Sequence, residues 1–261
     1  MNAHIEGERS YGPDTVLLHH ADDLTARTQW QKKGYHIAPF LQPHEWEKFY
    51  QGVCLLFKSF FLKAKVSVRD KLELDKYHLY IGNNYSLHLA IVEQAKLLAV
   101  SQLPIRVETI EKRVSELCQV QVQAFNPFDQ ARVFHFRIIR PQSNDNNPLH
   151  RDVWLEDYKD CINIYVPIFG SNSLSSLTLV PGSHLWSEAD IERTKKGAKV
   201  DGVQFNVPGL TGSKTPLDIV RPNPNLNEVL VFSPYLLHGG ASNLNTDITR
   251  ISLEMRFWRK P

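Results

Sequence analysis

The pattern of apolar and polar positions changes character near residue 119. Before it, apolar residues recur at helical spacing. After Pro43-His44-Glu45-Trp46, a helix start with proline near the first position, Phe49, Val53, Leu56, Phe57, Phe60 and Phe61 form one stripe. A stripe of that period is the buried face of an amphipathic helix. Asn84 to Ala99 and Pro104 to Cys118 read as two further helices. The second carries Glu108, Glu111, Lys112 and Arg113 as a solvated face. Trp30 to Phe40 reads as a turn feeding a short strand, and residues 1–30 as a polar, exposed tail.

Beyond residue 119 the period shortens to two. Val120–Phe125, Arg132–Arg140, Cys161–Ile168, Ser176–Val180, Glu228–Ser233 and Thr249–Trp258 read as strands. Asn126-Pro127-Phe128-Asp129 and the polar run from Gln142 to Asn147 divide them as turns. There is no internal repeat. The expected fold is mainly β with α: residues 1–118 supply a tail and supporting helices, and residues 119–261 an antiparallel barrel or jelly-roll core, all one domain. Residues 185–227, rich in Gly, Pro and Lys, read as a long insertion and a mobile lid.

Composition narrows the class. A chain of 261 residues with 42% hydrophobic and 22% charged residues is an ordinary globular protein with room for a large core. A net charge of +2 gives no argument for a nucleic-acid or membrane partner. No apolar run reaches membrane-spanning length. Cys54, Cys118 and Cys161 are odd in number and widely spaced, which fits neither a disulfide framework nor a zinc cluster. The N-terminus shows no apolar signal segment, so the expectation is a soluble cytoplasmic protein. Oligomeric state is not legible.

The chemistry concentrates at Pro148-Leu149-His150-Arg151-Asp152. Residues two apart on a strand share a face, so His150 and Asp152 would project an imidazole and a carboxylate together. His20-Ala21-Asp22 has the same spacing but lies in the polar tail, and no metal role is expected for it. The third ligand is expected at His238, in Leu237-His238-Gly239-Gly240, where the glycines remove bulk beside it. The alternative for His238 is a hydrogen-bonded histidine at a strand end. Two His and one carboxylate on one face of a metal leave the other positions open, the arrangement of non-haem Fe(II) oxygen chemistry. Twelve residues on, Arg250 and Ser252 share a face of the last strand. An inward guanidinium is costly without an anion, and with a hydroxyl it makes a carboxylate clamp. The alternative is a surface ion pair.

Taken in order, these segments resemble the Fe(II)- and 2-oxoglutarate-dependent oxygenases of the phytanoyl-CoA dioxygenase-like branch. The likeness rests on Gly34-Tyr35-His36-Ile37 before a proline-started helix, His150-Arg151-Asp152, Thr178-Leu179-Val180-Pro181-Gly182-Ser183-His184, His238-Gly239 and Arg250-Ile251-Ser252. It implies a double-stranded β-helix (jelly-roll, cupin-like) core with Fe(II) held by His150, Asp152 and His238. It also implies 2-oxoglutarate chelated to the metal, its far carboxylate on Arg250 and Ser252. Asn163, Tyr165 and, more remotely, Arg137 are implied in the same pocket, and His184 in a structural turn. The implied reaction consumes O2 and 2-oxoglutarate, releases succinate and CO2, and hydroxylates or otherwise oxidises a small-molecule substrate. Asp152 disfavours halogenation, which in related enzymes goes with loss of the carboxylate ligand. Two other classes remain: a non-catalytic jelly-roll binding or sensing protein, and a zinc hydrolase. Arg193, Lys195, Lys196 and Lys199 in the insertion are either an anion-attracting patch or a solvated face. On the last strand, Arg250, Ser252, Glu254 and Arg256 should face the lumen and Ile251, Leu253, Met255 and Phe257 a neighbouring layer. Glu254 is expected either to pair with Arg256 or to meet an amine or hydroxyl of the substrate, with Arg256 holding it in place.

Overall fold

The computed structural model describes residues 5–68, 72–128, 134–143, 147–155, 158–239 and 242–261. In chain order its regular elements are β1 (Ile5–Glu6), β2 (Arg9–Tyr11), β3 (Tyr35–Pro39), α1 (Pro43–Lys63), α2 (Tyr77–Ile81), α3 (Tyr85–Lys96) and α4 (Val107–Cys118). Then follow β4 (Val122–Gln123), β5 (Phe134–Ile139), β6 (Cys161–Phe169), β7 (Ile191–Thr194), β8 (Lys199–Val200), β9 (Val203–Gln204), β10 (Leu210–Ser213), β11 (Glu228–Phe232) and β12 (Arg250–Arg259).

α1 and α3 begin where their sequence says, and α4 begins at Val107, three residues after Pro104. Pro43 stands in the first turn of α1, and Glu45 accepts the Gln42 backbone N–H at 3.1 Å. The Asn84 side chain accepts the Leu87 N–H at 3.0 Å and starts α3. Gln119, in the left-handed conformation, ends α4. The buried faces of these helices meet one face of the main sheet, whose order is β3-β11-β6-β12-β4, with β5 also paired to β12. All pairings are antiparallel.

Period two sorts this sheet. Ile162, Ile164, Val166 and Ile168 of β6 and Ile251, Leu253, Met255 and Phe257 of β12 join Phe49, Val53, Phe57 and Phe61 of α1 in one core. Each such side chain, fully buried, stabilises by roughly 1.5–3 kcal/mol. The opposite face carries Asn163 and Tyr165 of β6 with Arg250, Ser252, Glu254 and Arg256 of β12, as expected for a lumen. Across from it runs a second layer of extended segments joined by single bridges: His150 to His238, His238 to Leu179, and Leu179 to Val220. Two layers wrapped around a polar interior make the jelly-roll.

Three expectations are corrected. The runs around His150 and at Ser176–Val180 are not regular strands. Pro148 and Pro181 withhold backbone donors and Gly239 has φ +102°, so pairing shrinks to single bridges. Val120–Phe125 shortens to β4, because the Val120 N–H goes to Ser115 O (3.2 Å) and the Ala124 N–H to the Glu111 carboxylate (2.8 Å). Residues 5–30 and 185–227 contain paired strands and are not an open tail and loop. β1 pairs with β8, itself paired with β9, and β2 lies beside β7, itself paired with β10. Asp23, Leu24 and Thr25 are buried. Asp129, Arg132, the run Asn144–Asn146 and Gly240 lie outside the described residues.

Candidate metal centre

His150 and His238 are cross-strand neighbours. Each donates its backbone N–H to the other's carbonyl, both at 2.9 Å. Residues so paired present their side chains on the same face, and the two rings lie with centroids 4.5 Å apart. Asp152 is fastened to the same segment by its N–H on Pro234 O at 3.0 Å. It opens a short 3-10 turn, Asp152–Trp154, so it converges with the histidines by a turn in the chain rather than by strand alternation.

All three side chains are buried. His150 Nδ1 lies 2.7 Å from Pro148 O and His238 Nδ1 2.9 Å from Leu236 O. Carbonyls only accept, so each Nδ1 carries a proton, and a neutral ring then keeps its lone pair on Nε2. Backbone partners of this kind orient metal-bound histidines. The Nε2 atoms stand 3.3 and 3.6 Å from Asp152 Oδ1. Ligands held at about 2.1 Å and at right angles around one ion would be about 3 Å apart. Burial pushes the His238 imidazole down to about 4, against the pull of Asp152. Burial alone would raise the Asp152 carboxyl, but Arg256, His238 and His150 hold it well below its ordinary range. Neutral imidazole and carboxylate are the forms in which such side chains bind a divalent cation. Among the described residues this is the single group of that kind; His20 sits exposed in a 3-10 turn and takes no part.

Asp152 is held from behind. Arg256 places Nη2 and Nε 3.0 and 3.2 Å from its Oδ2, and Asn163 Nδ2 donates to the same oxygen at 2.7 Å. Arg256 also lies 4.3 Å over the Tyr158 ring. The expected pairing of Glu254 with Arg256 is thus replaced. Glu254 instead binds Arg137 at 3.1 Å, one strand over, because β5 brings Arg137 opposite Ser252.

Farther along the same face of β12, the buried Arg250 donates to Ser175 O at 2.9 Å and lies 5.5 Å over the Tyr165 ring. No carboxylate is within ion-pair distance of it among the described residues. Its Nε, Ser176 Oγ and Thr178 Oγ1 are buried without hydrogen-bond partners there. Ser252 is buried beside Glu254, and Tyr165 shares its hydroxyl with Ser171 at 2.8 Å. A second cation, Arg221, is held by Ser242 O at 3.1 Å. Burial and then Arg250 lower its pKa. It stands in a proline-rich stretch with no period to mark it.

A further buried pair went unread in the sequence. Arg151, between two of the candidate ligands, is fully buried and binds Glu188 and Ser183 O. Trp154 Nε1 also donates to Glu188, at 3.1 Å. His184 Nε2 donates to Gln31 O at 2.8 Å, outside the candidate metal cluster, in keeping with a structural turn. Of the four insertion cations, Lys195 and Lys199 pair with Glu8 and Glu6, and Arg193 with Glu188.

In this jelly-roll, two histidines and one aspartate form a buried set that could hold a metal ion. No family model matches the chain, and no curated protein does. Among solved structures it is similar to AviO1 from Streptomyces viridochromogenes Tue57, at 14% identity, covering 95% of this chain and 99% of that one, TM-score 0.52. It is also similar to the apo form of ThoJ, described as a non-heme monooxygenase, at 16% identity, covering 91% and 77%, TM-score 0.52. The ThoJ nickel complex matches over the same shares with a TM-score of 0.50. These likenesses establish a shared fold.

Proposed function

We propose that this chain is a single-domain Fe(II)- and 2-oxoglutarate-dependent dioxygenase of the phytanoyl-CoA dioxygenase-like kind, acting on a small-molecule metabolite. The observation that carries the reading is the convergence of His150 Nε2, Asp152 Oδ1 and His238 Nε2 in one buried cluster. With Fe(II), 2-oxoglutarate and O2 bound, such a site supplies a C–H-oxidising equivalent and releases succinate and CO2. ThoJ, which shares the fold, is described as a non-heme monooxygenase.

The chain's own residues divide the work. His150, Asp152 and His238 would hold the metal on one face and leave the other open. Arg250, with Ser252 beside it, would bind the far carboxylate of 2-oxoglutarate by charge-assisted hydrogen bonds. The unpartnered hydroxyls of Ser176 and Thr178, next along the chain from the Ser175 carbonyl that holds Arg250, favour a polar occupant there. Tyr165 walls the pocket and orients Arg250. A zinc hydrolase would use the same three ligands but leaves the Arg250 pocket without a purpose.

The test is anaerobic reconstitution with Fe(II), then O2 and 2-oxoglutarate, with succinate measured over a panel of small metabolites. Metal- and 2-oxoglutarate-dependent succinate, raised by one class of metabolite, is expected. Arg250→Met should raise the KM for 2-oxoglutarate at least tenfold. Activity with Zn(II) in the absence of 2-oxoglutarate would refute the proposal.

A further inference from the structure

We propose that Arg256 and Asn163 form a two-sided clamp that keeps Asp152 a one-oxygen ligand, and so preserves the open face of the metal. This rests on the metal-site reading above but not on the identity of the co-substrate. A carboxylate offers two oxygens and about four lone-pair directions. Left free, it binds a divalent cation through one oxygen or both, and the second mode removes a position that reactants need.

The geometry assigns the two oxygens different work. Oδ1 is the atom 3.3 and 3.6 Å from the histidine Nε2 atoms. Oδ2 receives three donors: Arg256 Nη2 at 3.0 Å, Arg256 Nε at 3.2 Å and Asn163 Nδ2 at 2.7 Å. That occupies its lone pairs and turns it away from the histidines. The clamp is built into the sheet. Asn163 of β6 and Arg256 of β12 are direct cross-strand partners, so their side chains leave the same face side by side. Tyr158 covers the guanidinium, which fixes its plane. Arg256 and Asn163 are positioning residues, since they act on the metal through Asp152.

Orientation and charge make opposite predictions, which allows a clean test. If Arg256 acted only as a nearby positive charge, removing it would strengthen the binding of another cation. If it acts as a clamp, removing it frees the carboxylate and weakens binding, by the 10–100-fold typical of lost partners behind a metal ligand. The variants are Arg256→Met, Arg256→Lys and Asn163→Ala, each compared with the parent as full chain. Co(II) and Mn(II) are titrated anaerobically, without 2-oxoglutarate. Binding is read by equilibrium dialysis and coordination by the visible bands of the Co(II) form. Metal-bound waters are counted by spin-echo spectroscopy of the Mn(II) form in D2O.

The expected result is weaker metal binding in Arg256→Met and Asn163→Ala, one fewer bound water in Arg256→Met, and partial return of both properties in Arg256→Lys. Metal binding that is unchanged or tighter in folded Arg256→Met, with an unaltered water count, overturns the inference. If Arg256→Met does not fold, Asn163→Ala keeps every charge and decides the same question: unchanged binding and water count overturn it. Failure of the parent chain to bind either metal would overturn the metal-centre reading itself, and the clamp with it.

Discussion

At the scale of single residues, His150→Ala and His238→Ala should each abolish tight Fe(II) binding and leave the far-ultraviolet circular dichroism intact. His20→Ala, the same motif in an exposed turn, should bind iron as the parent does; equal loss from all three would contradict the site. A second prediction concerns His135, on β5 beside Arg137. Burial, then Arg137 and Arg256, push its imidazole down to about 4 from 6.5. In the unfolded chain it takes a proton below about 6.5, while the folded form stays neutral until about pH 4. The unfolded state therefore binds more protons in this window, and stability falls as pH falls from 6.5 to 4. The gap of about 2.5 pH units is worth at most about 3 kcal/mol, given partial solvent exposure. His135→Gln should flatten the decline in urea midpoint between pH 7 and 4.5 relative to the parent. Parallel declines would show that His135 is solvated. The three candidate ligands were legible in the sequence because two stand two residues apart and the third precedes a glycine. The partner of Asp152 was not, because Arg256 reaches it from a strand that sequence distance cannot place.

At the scale of elements, helices and long strands were legible wherever a period ran uninterrupted. α1 and β6 match their expected spans within two residues, and the last strand its face assignment. The second layer was misjudged because prolines and Gly239 break its pairing to single bridges, yet that break serves the site. Gly239 has φ +102°, and a Cβ there would lie 2.7 Å from Pro148 O and 3.1 Å from His150 Nδ1. The carbonyl is backbone and cannot swing aside cheaply. It is also the acceptor that orients His150. Gly239→Ala should therefore cost about 1–3 kcal/mol of backbone strain and lower Tm by several degrees. It should also weaken Co(II) binding by more than tenfold, because the forced shift moves the His150 acceptor. A loss of Tm with unchanged metal affinity would mean that the glycine serves only the fold.

At the scale of the whole molecule, the N-terminal arm and the insertion form one unit that reaches the candidate metal motif. Short polar strands carry little period, which is why residues 5–16 read as a tail. β1 and β2 pair with β8 and β7, and Val16 bridges Ser187. The Glu188 N–H donates to Thr15 O at 2.9 Å, and its carbonyl accepts the Gly12 N–H at 3.2 Å. The Glu188 side chain then binds Arg151, the residue between His150 and Asp152. We propose that any closing of residues 185–227 over the site carries the arm along, so that the arm sets the insertion's mobility. Deleting residues 1–16 should speed tryptic cleavage at Arg193, Lys195, Lys196 and Lys199 by at least tenfold. The exposed pairs Lys195–Glu8 and Lys199–Glu6 are screened by salt. The backbone pairing and the buried Arg151–Glu188 contact are not, so 1 M salt alone should leave the full chain resistant. Metal affinity should fall modestly in the deletion, through the loosened Arg151 anchor. Cleavage of the full chain and the deletion at equal rates would show that the arm rests on the insertion without holding it.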